Sequence, residues 1–265
     1  MRQLINTHFV PSLAVPQLAR RRFAWLFTSM LCCGLAAPMW CVAQTSSSDA
    51  MSEPTSEVMP STAASSQTAV VSDMASVIAP LQTRWAEVNY QLQDDAREKA
   101  FAQLLAQADT LLKQHPQSAE VLIWHGIINS SYANAKGGLG ALSLAEASKA
   151  DLEQALKIDD TALQGSAYTS LGVLYSKVPG WPIGFGDSDK AEELLKKALA
   201  INPTGIDPNY FYAEFLMEKK QYKDALSYLE KAQQAPARPG RESADAGRQQ
   251  EISQLMAKLQ KKLKK

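Results

Sequence analysis

The side chains of this 265-residue chain that could carry chemistry are few and lie far apart. His115 and His125 are ten residues apart, and neither has a nearby acidic cluster in the sequence at metal-ligand spacing. The paired acids Asp94-Asp95 and Asp159-Asp160 fall at a helix start and a helix end, which are ordinary places for carboxylates. We therefore predict no catalytic residue, no metal site and no cofactor, and we expect both histidines to be structural or surface residues.

A glycine run at residues 137–140 could suggest a phosphate-binding loop. A Walker loop, however, continues with Gly-Lys-Ser/Thr, and a dinucleotide fingerprint follows a strand. Neither context is present in the sequence. The run therefore predicts a flexible joint between two helices.

Residues 179–187 combine two prolines and three glycines with the apolar side chains of Trp181, Ile183 and Phe185. Prolines and glycines at this density set an unusual backbone path. Two interpretations are open for this loop. Its rings either pack against the neighbouring helices of their own repeat, or overhang a groove and contact a ligand.

The first 43 residues have the pattern of an export signal. Arg20-Arg21-Arg22 precede an apolar run at residues 23–40, and Cys41-Val42-Ala43 follows. We predict a secretory signal peptide at residues 1–43, cleaved after Ala43, and hence a periplasmic protein with no stable membrane span after cleavage. An uncleaved membrane anchor and export by the twin-arginine route are the alternatives.

Removing this segment changes the chemistry of the remaining chain. All three cysteines lie in it, so the mature protein would form no disulfide. It also holds four arginines and no acid, which changes the balance from 27 basic and 27 acidic residues to 23 and 27. A nucleic-acid partner is not expected from this slightly acidic balance.

The elements that would position any site are helices with a repeated pattern. One copy reads Tyr168-x2-Leu171-Gly172-x2-Tyr175, then Ala191-x3-Leu195-x2-Ala198. The next reads Asn209-x2-Tyr212-Ala213-x2-Leu216, then Ala225-x3-Leu229-x2-Ala232. Ala198 and Ala232 are 34 residues apart, which is the period of a tetratricopeptide array. Small residues at these positions allow two helices to approach closely where they cross.

The same template finds two earlier and more degenerate helix pairs, with second helices around Leu104–Leu111 and Ser148–Ala155. We predict an all-α, tetratricopeptide-like solenoid of about four helix pairs at residues 80–240. A C-terminal amphipathic capping helix is predicted at residues 241–265. Residues 44–79, rich in Ser, Thr and Ala, are predicted to be a disordered spacer with a fraying helix near its end. The two earlier repeats are longer than 34 residues, and the extra residues predict inserted loops on the binding face.

The first helix of each pair is predicted to line the inner groove. By this template, the lining residues are Glu120, Ile123, Ile127, Ser130, Ser131, Ser166, Thr169, Val173, Ser176, Lys177, Asp207, Tyr210, Glu214, Met217 and Glu218. Because this is not a run of lysines and asparagines, it does not predict a clamp for a terminal carboxylate. The candidate partner-binding residues are Ile123, Ile127, Thr169, Lys177, Trp181, Phe185, Tyr210 and Glu214.

Residues 136–142, 166–187 and 190–214 resemble exported bacterial tetratricopeptide proteins related to the TRAP transporter T-component (TatT) family. The resemblance extends over residues 81–263. It implies an all-helical periplasmic protein without catalytic activity that works beside a transporter's substrate-binding protein. Members of that branch often carry a lipid anchor, whereas neither cysteine context here has the small residue that precedes a lipidated cysteine.

Two functions follow as hypotheses. The first is a non-catalytic scaffold or adaptor that binds a protein or peptide through its groove and inserted loops. The alternative is an accessory component of a TRAP-like uptake system, in which the loop with Trp181 and Phe185 closes an apolar cavity around a small ligand.

Overall fold

Helices make up every regular element in the part of the chain that the computed structural model describes, residues 63–138 and 140–264. In chain order they are α1 (Ala63–Gln91), α2 (Asp94–Gln114), α3 (Ala119–Lys136), α4 (Gly140–Ile158), α5 (Ala162–Lys177), α6 (Ser188–Ile201), α7 (Ile206–Glu218), α8 (Tyr222–Gln233) and α9 (Glu242–Leu263).

The helices pack as consecutive pairs. The pairs are α1 with α2, α3 with α4, α5 with α6, and α7 with α8, and α9 packs against α8. Each pair also contacts the next one, so the buried side chains form three clusters that share helices along the array. The predicted all-α repeat solenoid of four helix pairs and a terminal helix is confirmed.

Small residues bring the two helices of a pair together. A methyl group on Gly172 of α5 would lie 2.6 Å from Leu195 Cγ of α6, and one on Gly126 of α3 would lie 2.8 Å from Leu152 Cγ of α4. In α7 the corresponding residue is Ala213, which is fully buried. Side chains larger than these would push the paired helices apart, because protein interiors are close-packed.

Local sequence signals set several helix boundaries. The side chain of Ser118 caps α3 by accepting the backbone N–H of Val121, and the side chain of Asp187 caps α6 by accepting two backbone N–H groups. Both are residue types favoured at this position, since their oxygens satisfy donors that the first helical turn leaves free. Gly137 and Gly138 join α3 to α4 with positive φ angles of 62° and 63°.

The first helix begins earlier than the sequence indicates. The spacer predicted at residues 44–79 overlaps α1, which starts at Ala63, and the repeat domain therefore extends N-terminally of residue 80. Ile78 is only 1% exposed and packs in the same cluster as Phe101 of α2. Burial against α2 and α3 stabilises this stretch as a helix despite its weak sequence signal.

The predicted signal peptide and most of the predicted spacer lie outside the described residues. Among the helices that the structure does describe, none is both long enough and apolar enough to cross a membrane.

The terminal helix does more than cover the last pair. Ile252 and Leu259 of α9 are fully buried against the last two pairs, while Leu263 is 40% exposed. The N-terminal part of α9 returns to the first pair, where Ala244 joins the cluster around α1 and Gly247 lies directly against the ring of Tyr90. The helix therefore links the end of the array to its beginning.

The close packing of α6 generates a stability prediction. Ala198→Trp is expected to lower the free energy of unfolding by about 3 kcal/mol or to prevent folding, because Ala198 is fully buried and overpacking forces neighbouring side chains out of place. Urea unfolding followed by circular dichroism measures the change. Ala200→Trp is the matched control, since Ala200 is exposed on the same helix. Equal stability of the two variants would contradict the assigned packing.

Candidate functional site

The main candidate site is a groove with a volume of about 800 Å³ along the first helices of the four pairs. Its walls come from α1, α3, α5 and α7, from the α6–α7 loop, and from the chain that leads into α9. Serines, prolines, two tryptophans and three arginines are prominent in the lining. The lining includes Trp85, Trp124, Ile127, Ser130, Ser131, Leu163, Gln164, Ser166, Thr169, Ser170, Val173, Asn202, Asp207, Arg238, Arg241 and Arg248. We call this site the inner groove.

Hydroxyl groups on α3 and α5 give the inner groove hydrogen-bond acceptors. Ser130 donates to the Ile127 carbonyl at 2.9 Å, and Ser166 donates to the Leu163 carbonyl at 2.6 Å. With its proton used in this way, each hydroxyl oxygen keeps lone pairs that can accept from a ligand N–H. These acceptors suit the N–H groups of a peptide main chain.

Two tryptophans form an apolar wall. The rings of Trp85 and Trp124 meet edge to face with 5.9 Å between their centroids, and Trp85 Nε1 donates to Ser131 Oγ at 2.8 Å. Both side chains are buried and rigidly packed, Trp124 being 3% exposed and Trp85 8%. They form a rigid apolar backing of the groove wall, of which little is open to a ligand.

An ion network crosses the groove wall where α9 meets α7. Asp207 accepts from Arg238 at 2.6 Å and from Arg248 at 2.8 Å, and Arg238 also pairs with Asp245. Burial alone would raise the pKa of the Asp207 carboxyl, but the guanidinium groups of Arg248 and Arg238 outweigh it and lower the pKa to about 2. The carboxylate therefore stays ionised and holds both arginines in place.

Arg248 ties this network to the aromatic core. Its guanidinium lies 4.6 Å from the ring centroid of Tyr210 and 4.4 Å from that of Phe211, and the residue is 6% exposed. Burial by itself lowers the pKa of Arg248, but the Asp207 carboxylate reverses that effect and the pKa is raised. The arginine is thus a fixed positive charge that fastens α9 to α7.

The backbone at the N-terminal end of α5 is unusual. Leu163, Gln164 and Gly165 have φ angles of 48°, 56° and 73°, and the helix is regular only after them. For residues with a side chain this left-handed conformation costs free energy and persists where its surroundings hold it. Asn202 donates to Gln164 Oε1 at 2.9 Å, which fixes this turn against the α6–α7 loop. Leu163 and Gln164 both line the inner groove.

About half of the residues that the repeat template predicted for the groove lie at the inner groove in the structure. Seven of the fifteen line it: Ile127, Ser130, Ser131, Ser166, Thr169, Val173 and Asp207. Their role in binding stays a prediction.

Two of the candidate binding residues lie in the core instead. Ile123 is fully buried among α3, α4 and α5, and Tyr210 is 7% exposed beneath Arg248. Neither side chain is accessible to a partner. The helical spacing places them on the inner side of their helices, but packing by neighbouring helices covers them.

Lys177 and Glu214 meet each other. Lys177 Nζ lies 3.2 Å from a Glu214 carboxylate oxygen and also pairs with Glu218, which joins the end of α5 to α7. These side chains lie beyond the residues that line the inner groove. One lysine is thus shared by two carboxylates in a partly exposed cluster, and the role of Lys177 and Glu214 in binding stays a prediction.

The inserted loop at residues 179–187 places its two rings differently. Phe185 packs edge to face on Tyr175, with 5.4 Å between the ring centroids. Lys149 Nζ lies over the Phe185 ring, 5.7 Å from its centroid. Trp181 is 90% exposed and precedes a cis peptide bond to Pro182. Neither residue lines the inner groove. Phe185 therefore packs against the helices of its own repeat, whereas the Trp181 ring projects away from them.

The histidine that the sequence left isolated sits between two carboxylates. His125 Nδ1 lies 2.7 Å from Asp151 of α4, and Nε2 lies 2.8 Å from Asp109 of α2. These acids lie far from His125 in the sequence, and helix packing brings them in from other helices. Burial alone would lower the pKa of His125, but its hydrogen bonds to Asp151 and Asp109 raise it. With both ring nitrogens engaged, His125 links three helices and has no nitrogen available for a substrate.

The arginines of the groove wall were not predicted from the sequence. Arg238, Arg241 and Arg248 lie near or within α9, outside the repeat template that predicted the lining. Their side chains reach the groove because α9 returns to α1. The proline-rich chain before α9 was visible in the sequence, but its direction was not.

The ion network generates a prediction. Asp207→Asn is expected to lower the free energy of unfolding by about 2 kcal/mol at pH 7, which is the scale of a pKa change from 3.8 to about 2. In the unchanged protein this contribution is present above pH 4, approximately the unfolded pKa, and is lost as the pH falls towards about 2. Urea unfolding at several pH values measures it. Asp224→Asn, at an exposed site on α8, is the control, and equal losses in both variants would contradict the network's role.

The two rings of the inserted loop generate a second prediction. Trp181→Ala is expected to leave the melting temperature unchanged, because the ring is 90% exposed. Phe185→Ala is expected to lower the stability by about 2 kcal/mol, because it removes packing against Tyr175. Thermal unfolding of both variants gives the comparison. A lower melting temperature for Trp181→Ala would show that this ring packs on the protein.

Comparison with known proteins supports the repeat assignment. No curated protein matches the chain. The family model described as tetratricopeptide repeat matches residues 183–239, from the end of the inserted loop through α6, α7 and α8. Proteins built from this repeat are typically non-catalytic scaffolds that mediate protein–protein interaction. The match and the helix-pair architecture together identify the chain as one that carries tetratricopeptide repeats.

Proposed function

We propose that this protein is a non-catalytic scaffold whose inner groove binds an extended segment of a protein partner. The observation that carries the proposal is the groove itself, a continuous cavity of about 800 Å³ formed by the first helices of successive pairs. Its outline and its lining depend on the repeat, so the binding surface is built by the same packing that builds the fold.

The lining of the inner groove suits a polypeptide. The oxygens of Ser130 and Ser166 can accept main-chain N–H groups, while the half-buried Ile127 and Val173 offer an apolar surface to side chains. Because these groups are held in place before binding, a flexible segment would bear most of the ordering cost. An extended peptide satisfies both kinds of surface at once.

The setting of this scaffold rests on the sequence. We propose that the protein acts in the periplasm, on the basis of the basic and apolar pattern within residues 1–43. The T-component resemblance makes the substrate-binding protein of a TRAP-like transporter one partner to test. The alternative, a carrier whose loop closes an apolar cavity, has less support, because Trp181 and Phe185 do not line the inner groove.

A groove-filling variant tests the proposal. In the full chain, Ser170→Trp is expected to reduce partner capture at least tenfold, because its indole occupies the inner groove; roughly tenfold corresponds to losing 1.4 kcal/mol of binding. Crosslinking in the native host followed by mass spectrometry measures the capture. Ser143→Trp, at an exposed position on α4, is the matched control. Undiminished capture by Ser170→Trp together with loss in Trp181→Ala would assign binding to the loop and contradict the groove.

A further inference from the structure

Arg241 differs from the other two arginines of the inner groove. Its guanidinium lies 4.9 Å from the ring centroid of Trp124, at the residue that precedes α9. Arg238 and Arg248 each pair with carboxylates, whereas no carboxylate of the described residues lies within ion-pair distance of Arg241. Arg241 therefore makes no direct ion pair with the described residues, and the carboxylates of Asp207 and Asp245 act on it only at longer range.

The charge of the groove lining leads to the same residue. Three arginines and one acid, Asp207, are the charged residues in that lining. Both oxygens of Asp207 already accept hydrogen bonds, one from Arg238 and the other from Arg248. Outside the lining, Arg238 also pairs with Asp245 and Arg248 with Glu251, so Arg241 is the arginine of the lining that makes no direct ion pair.

The surroundings of Arg241 make this charge costly without a ligand. Arg241 Nε and Trp124 Nε1 are both buried, and neither has a hydrogen-bond acceptor among the described residues. Burial lowers the pKa of the Arg241 guanidinium and the nearby charge of Arg238 lowers it further, while the carboxylates of Asp207 and Asp245 offset only part of this. An anion at this position would offset part of the desolvation cost.

We propose that Arg241, stacked on Trp124, is the carboxylate-binding position of the inner groove, and that the partner segment recognised there is acidic. This inference rests on the proposed function and adds the chemical class of the partner. A planar guanidinium held against an indole can form two parallel hydrogen bonds to an aspartate or glutamate side chain. The serine oxygens on α3 and α5 would then accept main-chain N–H groups of the same segment.

A carboxylate fits this position better than a phosphate group. Phosphopeptide sites in proteins use clusters of arginines. At the inner groove, Arg238 and Arg248 are already engaged by Asp207, and only Arg241 has no carboxylate partner in the described chain. One guanidinium matches the charge and the planar geometry of one carboxylate.

The test uses the full chain and a displayed library of randomised short peptides. Peptides retained by the protein are sequenced, synthesised, and measured by fluorescence anisotropy. We expect enrichment in Asp and Glu, and an affinity about tenfold lower when the essential acid is replaced by its amide, a loss of roughly 1.4 kcal/mol. The affinity for the acidic peptide is also expected to fall with increasing salt.

Variants of Arg241 assign the effect to this side chain. Arg241→Gln is expected to weaken binding of the acidic peptide about tenfold and to abolish the difference between acid and amide peptides. Arg84→Gln is the matched control, because Arg84 pairs with Glu87 on α1 and does not line the inner groove. If Arg241→Gln does not fold, Arg241→Lys retains the charge and is expected to retain the preference for acid over amide.

The outcomes separate this inference from the proposed function. Peptides that Ser170→Trp excludes but that show no acid preference would overturn the role of Arg241 and leave the groove scaffold intact. If Ser170→Trp weakens the binding of no peptide, the proposed function itself would be overturned. If N-acetylglutamate amide binds with the same affinity as the selected acidic peptide, the position would be assigned to small acids, which would contradict a peptide partner. A peptide of residues 44–62 contains three acids and no base. If it binds more tightly than the selected library peptides, the groove would be assigned to this chain's own segment.

Discussion

The close approach of paired helices at small residues is the constraint on which this structure depends. At Gly126 and Gly172 the facing leucine of the partner helix occupies the space where a side chain would be, and Ala213 has the corresponding position in α7. These contacts fix how the two helices of a pair cross. Because three of the four pairs have a small residue at this position, their first helices line up along one side of the array, and a groove follows from their alignment.

The terminal helix converts this array into a site with a chemical character. An array without α9 would present serines, prolines and tryptophans along its inner side, with Asp207 as a lone acid. The return of α9 to α1 brings three arginines to the groove wall, two of which Asp207 engages. The same ion network that holds α9 in place therefore decides which arginine of the groove wall makes no direct ion pair. Asp207 links the stability of the array to the recognition that we propose.

The groups with the chemistry most often associated with catalysis have structural roles here. His125 uses both ring nitrogens to link α2, α3 and α4 through Asp109 and Asp151. The glycines at residues 137 and 138 adopt left-handed conformations that let the chain turn from α3 into α4. By contrast, the left-handed turn at Leu163 and Gln164 lies at the inner groove, where a costly backbone conformation positions part of the lining.

The sequence by itself determined the repeat. The 34-residue spacing, the small residues at helix crossings and the capping residue Asp187 are local signals, and they predicted the helix pairs and seven of the residues that line the groove. The sequence did not determine that Ile123 and Tyr210 are covered, that His125 meets two acids, or that α1 begins at Ala63. It also did not place Arg241 at the groove. Those features depend on contacts between helices far apart in the chain, and periodicity along one helix holds no information about which distant side chains will pack against it.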